Sequence, residues 1–278
     1  MPNLAVDGAV IAYSDTGAPA GRPDAPTVVF GHGLLFSGWM FDAQIEALHS
    51  DYRCVAIDWR GQGESPPAPS GYDMDTLHAD AVHVIEQVVG EPVHYVGMSM
   101  GGFVGQRVAP RRPDLVHSLT LLDSSAEPES PRGRVEYPLL SVIYRLLGPN
   151  VVRGPVEKVM LGPVFRADPR SKPIVDDWMR RLSLLDRRGM QRAVLGVANR
   201  AGVTEEIDAI KVPTLVIVGE QDAATPPKRS RRIAELIPGA RLEIVPNCGH
   251  SSTIEQPEAV TALLQAFLAE VDGDADTE

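Results

Sequence analysis

Residues 97–102 read Gly-Met-Ser-Met-Gly-Gly, which places one serine in a G-x-S-x-G frame. The apolar run "VHYV" precedes it and the helix-like run "GGFVGQRVA" follows it. Strand, sharp turn and helix in that order form a nucleophile elbow. Glycine is needed at 97 and 101 because such a turn packs backbone against backbone, where a Cβ would collide. Ser99 is expected at positive φ, a strained conformation that lifts its hydroxyl clear of the sheet. The helix that begins there aims its free N–H groups at the same point. The chemistry this allows is nucleophilic attack on an acyl carbon, for which a hydroxyl needs a base and an acid behind the base.

Around this elbow the acid and then the base follow the serine in the chain. Of seven histidines, only His117 and His250 come after Ser99. His117 opens a strand after "RRPDLV", at the wrong end of a sheet, whereas His250 follows the last strand-like run, "LEIVPNCG". His250 is therefore the expected base. Asp222, just past "PTLVIVGEQ", is the first choice for the acid, and Asp123, just past "SLTLL", is the fallback. Both lie at carboxyl ends of strands, where catalytic groups gather. Asp208 and Glu220 have weaker positions. The oxyanion needs two main-chain donors. They are expected from Met100, next to the nucleophile, and from Leu34 in the glycine-bearing loop "GHGLLFSGW". His32 is expected to hold that loop by hydrogen bonds, and the turn "DWRGQGES" to support it.

These residues have to be carried by a scaffold. Eight short apolar runs alternate with helical patterns, which implies a mostly parallel sheet covered on both faces. The runs begin with a hairpin around Asp7-Gly8 and end with "RLEIVPNCGH". Between "LLDSS" and "VPTLVIVG" lie about 80 residues with helical stripes and no strand signal, so an inserted helical block is expected. The expected division is core at 1–125, helical cap at 126–205, core again at 206–270, and a disordered acidic tail at 271–278. The cap is expected to bury Leu139, Ile143, Leu147, Met160, Phe165, Trp178, Met179 and Leu182, most of them against the core and a few along an acyl pocket. It carries 14 Lys/Arg against 9 Asp/Glu, while the rest carries 12 against 28. That contrast raises the idea of steering anionic substrates, against the plainer reading of solvated arginines and salt bridges.

The chain has 278 residues and a net charge of -11, which argues against nucleic acid as a partner. No run of 18 apolar residues suggests a membrane span. The first residues lack a basic and apolar leader pattern, and Cys54 and Cys248 form neither a disulfide framework nor a metal spacing. A cytoplasmic setting with two reduced thiols is expected. The oligomeric state stays open, a homodimer included.

The segments "HGLLFSGW", "DWRGQGES", "GMSMGG", "VGEQD" and "GHSSTIEQPEAV", in that order, resemble the α/β-hydrolase superfamily over nearly the whole chain outside the insert. The resemblance implies an α/β-hydrolase fold with the cap inserted after strand 6. It further implies a Ser99–Asp222–His250 triad that works through an acyl-enzyme, with no metal and no organic cofactor. "GMSMGGFVGQRVAPRRPDLVHSLTLLDSSA" and "GEQDAATPP" look like the 3-oxoadipate enol-lactonase branch and similar lactonases, while the loop "HGLLFSGW" follows ordinary carboxylesterases. The expected function is hydrolysis of a small carboxylic ester or lactone. Carbon–carbon bond hydrolysis, perhydrolysis and a low-turnover ligand receptor are the alternatives. Ser251 after the histidine lowers the first, because such hydrolases often carry Trp there. Dehalogenases and epoxide hydrolases of this fold use an aspartate nucleophile, against which Ser99 argues.

Overall fold

The computed structural model describes residues 1–275. The apolar runs of the sequence become the strands of one sheet: β1 (Asn3–Val6), β2 (Ala9–Asp15), β3 (Thr27–Gly31), β4 (Arg53–Ile57), β5 (Val93–Met98), β6 (Val116–Leu122), β7 (Thr214–Gly219) and β8 (Arg241–Val245). Their order is β1-β2-β4-β3-β5-β6-β7-β8. β1 and β2 form the expected hairpin, with Gly8 at φ 67° in the turn, and β2 also runs antiparallel to β4. The remaining neighbours are parallel.

Every residue of β3, β5 and β7 is buried, which is why these strands read as continuous rather than alternating apolar runs. Their side chains alternate between two cores. Val28 and Phe30 pack on one face with the residues of α11 (Pro257–Ala275) and Leu48 of α1 (Asp42–Leu48). Val29 packs on the other with residues of α2 (Met74–Val84), α3 (Met100–Arg111) and α9 (Pro227–Leu236). α2 starts where the Asp73 side chain accepts the Thr76 amide at 2.9 Å, an ordinary N-cap. α11 is tied to the sheet through Asp272, which accepts the Tyr52 hydroxyl at 2.7 Å and lies 3.1 Å from His94 Nε2. The acidic tail expected at 271–278 thus begins inside a helix that runs to Ala275, and residues 276–278 lie outside the described residues. Among the described residues no helix is long and apolar enough to cross a membrane.

Between β6 and β7 come only helices: α4 (Gly133–Leu147), α5 (Pro149–Met160), α6 (Pro163–Ala167), α7 (Lys172–Leu184) and α8 (Arg187–Ala198). Their burial corrects one reading of the sequence. Leu139 and Leu147 are 60% and 63% exposed, so they neither join the core nor line a pocket. α4 has two distinct faces. Tyr137, Leu140, Ser141 and Tyr144 face inward, whereas Val135, Leu139, Val142 and Leu146 face solvent. Of the other candidates, Met160, Trp178, Met179 and Leu182 are buried, and Ile143 and Phe165 are partly buried against the same core.

A close backbone contact lies under the elbow. A Cβ on Gly101 would stand 1.9 Å from the Gly31 carbonyl oxygen, and one on Gly97 would stand 2.4 Å from the Gly101 carbonyl oxygen. Both obstacles are backbone, so no rotamer relieves them. Gly101→Ala is expected to lower the stability by about 3 kcal/mol or more, as overpacking against a rigid neighbour does. Chemical denaturation followed by circular dichroism checks this. Gly273→Ala, where no atom lies within 4 Å of the added carbon, serves as the tolerant control.

Candidate active site

Ser99 follows β5 directly and is the residue before α3, at φ 48° and ψ -107°. Its amide donates to the Leu122 carbonyl at 2.8 Å, and its own carbonyl accepts the Phe103 amide at 2.9 Å. The turn is therefore anchored both to the neighbouring strand and to the helix. A positive φ at a residue with a side chain persists only when the surroundings enforce it, and here the Gly31–Gly101 contact does so.

His250 lies beyond β8 and Asp222 beyond β7, both buried. The three side chains separated in the sequence meet in series. Ser99 Oγ is 2.9 Å from His250 Nε2, and His250 Nδ1 is 2.9 Å from Asp222 Oδ2. Because a carboxylate only accepts, the Nδ1–H donates to Asp222. That leaves the Nε2 lone pair to accept the serine proton.

The sequence left two acids open, and the geometry separates them. Asp222 Oδ1 accepts the amides of Ala224 at 2.8 Å and Thr225 at 2.9 Å. The Thr225 hydroxyl lies 2.8 Å from both Asp222 Oδ2 and the Asp123 carbonyl oxygen. Burial works against ionisation of Asp222, but the charge and hydrogen bond of His250 and the donors from Thr225 outweigh it. Its pKa falls below the ordinary carboxylate value. Asp123, at the end of β6 and also at positive φ (46°), is fully buried and accepts one close amide, that of Gly219 at 2.8 Å. Burial and then the charge of Asp222 push its pKa well up. Of the pair, Asp222 thus ionises more readily than Asp123. For His250, burial alone would depress the imidazole. The charge and hydrogen bond of Asp222, with Asp123 and Glu255 behind, overcome this and raise its pKa.

The loop after β3 approaches the serine from the other side. A Cβ on Gly33 would stand 3.4 Å from Ser99 Cβ. Leu34 and Ser99 line the same cavity, and Met100 is the first residue of α3. His32 occupies the supporting place expected of it. Its Nε2 accepts the Trp59 amide at 3.0 Å, and its Nδ1–H donates to the Gly33 carbonyl at 2.7 Å. The "DWRGQGES" turn contributes Gln62, which accepts the Leu35 amide at 3.0 Å, and Asp58, which accepts the Gly38 amide at 2.7 Å. Asp208, Glu220 and His117 stand apart from this constellation. Glu220 accepts the Asn247 amide, and His117 is 42% exposed beside Asp272.

Several residues escaped the sequence reading. Leu35 sits at φ 71° without a glycine to announce it, and its carbonyl accepts the Trp178 indole N–H at 2.9 Å. Trp178 also stacks on Phe36 at 4.9 Å, so the cap braces the loop. Glu255, the last residue of α10 (Ser252–Glu255), accepts the amides of Gly249 at 2.8 Å, Gly162 at 2.9 Å and Ser251 at 3.1 Å. It thereby clamps the histidine loop to the cap. A carboxylate one helical turn beyond the histidine was the available signal.

Above Ser99 and His250 the cap roofs a cavity of about 110 Å³ with apolar walls that include Leu140, Val156, Met160, Met179 and Leu182. Many basic residues of the cap are matched within it, as Arg153 with Glu157 and Asp176, and Arg180 and Arg181 with Asp177. This fits the salt-bridge reading of the cap charge better than steering.

The sheet order, the elbow at its centre and the helical insertion after β6 define an α/β hydrolase. The chain matches the family model described as alpha/beta hydrolase fold over residues 26–257 and belongs to that family as one of its hydrolases. It is 27% identical over 262 residues to a putative carbamate hydrolase RutD of Stutzerimonas stutzeri, covering 90% of this chain and 94% of that one. The enol-lactonase of Burkholderia xenovorans LB400 superposes with a TM-score of 0.87 at 27% identity, covering 96% of this chain and all (100%) of the other. A thermophilic esterase of Thermogutta terrifontis gives a TM-score of 0.85 at 28% identity, over 95% and 94% of the two chains.

If Asp222 is what holds the His250 pKa up, Asp222→Asn should drop it below the ordinary imidazole value. Asp123→Asn, which removes a smaller influence than Asp222 on the imidazole, should move it much less. Titration of the imidazole proton or nitrogen resonances by NMR checks both.

Proposed function

We propose that the chain is a serine hydrolase that cleaves a small carboxylic ester or lactone through Ser99, His250 and Asp222. The observation that carries this reading is the pair of 2.9 Å contacts linking hydroxyl, imidazole and carboxylate in series at the carboxyl edge of the sheet. Ser99 Oγ attacks the acyl carbon as its proton passes to His250 Nε2. The tetrahedral oxyanion is held by the main-chain N–H groups of Leu34 and Met100. As the intermediate collapses, the C–O bond to the leaving alcohol breaks and His250 returns its proton to that oxygen. Water, deprotonated by His250, then attacks the acyl-enzyme. The acid leaves and the serine hydroxyl is restored. With a lactone the alcohol stays tethered, so the product is a hydroxy acid. No step needs a metal or organic cofactor.

The apolar cavity supports a carbon chain on the acyl side better than the small polar group of a carbamate, the substrate named for the RutD relative. Esterase and enol-lactonase neighbours support the ester and lactone class together.

A fluorophosphonate probe should label Ser99, with the adduct absent in Ser99→Ala. A panel of p-nitrophenyl esters and lactones should be hydrolysed by the wild type and not by Ser99→Ala. Activity that persists in that variant rejects the mechanism. Asp222→Asn should lower kcat by about 10⁴-fold, through loss of the productive tautomer. Because the base must be neutral and its pKa is raised, kcat/KM should climb with pH through a value above the ordinary 6.5. A pH–rate profile from pH 5 to 9 reads this limb.

A further inference from the structure

The amino ends of β5 and β6 carry a second cluster of titratable groups, at the edge of the sheet opposite Ser99. Strand pairing there passes from Val93 with Val116 to His94 with Ser118, so His117 is an extra residue on β6. A bulge of this kind re-aims a side chain. The His117 ring stands edge to face with that of His94, 5.0 Å between centroids. Asp272 of α11 closes the group. Its Oδ1 lies 3.1 Å from His94 Nε2 and 3.9 Å from His117 Nε2. One donor atom from each of the three residues lies within 4.8 Å of the other two. Positions 94, 117 and 272 have no motif spacing, so only the fold assembles them.

The geometry differs from that of a simple ion pair. The His94 side chain is 1% exposed, and among the described residues its Nε2 has no partner in hydrogen-bond geometry, although Asp272 Oδ1 is close. The carboxylate oxygen therefore lies off the axis of the ring nitrogen. A hydrogen bond needs donor and acceptor aimed at one another, whereas two ligands of one ion aim at a point beside them. The outer contacts also suit an ion. With Nδ1–H of His94 donating to Ser118 Oγ at 2.8 Å, the Nε2 lone pair is available. Asp272 Oδ2 accepts the Tyr52 hydroxyl at 2.7 Å, which orients Oδ1. Metal ligands are usually held in this way through their second nitrogen or oxygen.

The donor set selects the ion. Two imidazole nitrogens and one carboxylate oxygen suit zinc, whereas calcium and magnesium prefer shells of oxygen. With bonds of about 2.0–2.1 Å, tetrahedral ligands stand about 3.3 Å apart. His94 and Asp272 already have nearly that separation, and His117, 42% exposed, has a short way to swing. A fourth position faces solvent beside His117 and the 28% exposed Asp272.

We propose that His94, His117 and Asp272 form a zinc site, with water as the fourth ligand, that clips α11 to β5 and β6. The site stands about 16 Å along β5 from Ser99, so it takes no part in the chemistry proposed above and does not depend on it. The three ligands come together only on folding, so zinc stabilises the folded chain by mass action.

The test uses tag-free, chelator-treated protein and zinc chloride alone as the probe. In a calorimeter at pH 7.5, one zinc per chain should bind with a Kd of about 10 µM or tighter. Zinc at about 100 times Kd should raise Tm by about 5 °C or more. His117→Ala alters an exposed side chain and leaves the core intact. It should weaken binding by about tenfold or more and remove the Tm rise, and Asp272→Asn should do the same. His49→Ala and His250→Ala, at an exposed histidine elsewhere and at the base beside Ser99, should leave Kd unchanged. Cobalt(II) gives a second readout, the visible d–d bands of a four-coordinate ion, present in the wild type and lost in His117→Ala. No zinc bound at about 100 µM, or binding undiminished in both His117→Ala and Asp272→Asn, overturns the site and leaves the cluster as an ion pair between α11 and the sheet.

Discussion

The structure depends on one backbone contact, the approach of α3 to the end of β3 at Gly101 and Gly31. There a Cβ on Gly101 would meet the Gly31 carbonyl, while one on Gly31 would meet the Tyr95 hydroxyl and the Trp59 ring. This contact forces the chain between β5 and α3 through a left-handed residue, and that residue is Ser99. Without it the serine would fall into the plane of the sheet and the histidine loop would have nothing to meet. The strain is not borne by the turn alone. The Ser99 amide is tied to Leu122 and its carbonyl to Phe103, so relaxing the turn would break bonds on both sides.

Once the hydroxyl is raised, the site becomes a problem of unequal carboxylates. Asp222, Asp123 and Glu255 all act on one buried imidazole. Two like charges in that space would repel, and the donors decide which group ionises. Asp222 receives two amides, a shared hydroxyl and the imidazole N–H. Asp123 receives one close amide, and burial and the Asp222 charge oppose its ionisation. Glu255 takes three amides from two segments and acts as a clamp rather than as a second orienter of the base. The same types of residue therefore have three different tasks, set by what each can accept.

This division marks the limit of what the sequence makes legible. Features that a few neighbouring residues determine are readable from the chain. The elbow, the eight strands and the position of the helical insertion all follow from glycine placement and apolar period. Features set by partners far away in the chain are not. Nothing near Asp123 announces that it lies beside Asp222, and nothing near Leu35 announces a positive φ enforced by Gln62 and Trp178. α4 shows a different failure. Its stripe at Leu139 and Leu146 is a true helical period, but a period gives the face of a helix and not the direction in which it turns. The inward face is marked by Tyr137 and Tyr144, residues that read as polar in the pattern.

Core and cap then divide the work. The groups proposed to do the chemistry come from loops after β3, β5, β7 and β8, all anchored to the sheet. The walls beyond the acyl carbon come largely from the cap, whose two ends meet at Arg200 and Glu129. As a fastener that pair is a weak choice. Burying two charges costs most of what their attraction returns, and apolar side chains of similar volume close such a joint as well or better. The pair does, however, favour one register of the two ends, the one in which Arg200 Nη1 meets Glu129 Oε2 at 2.8 Å, a selectivity that two apolar side chains would not impose.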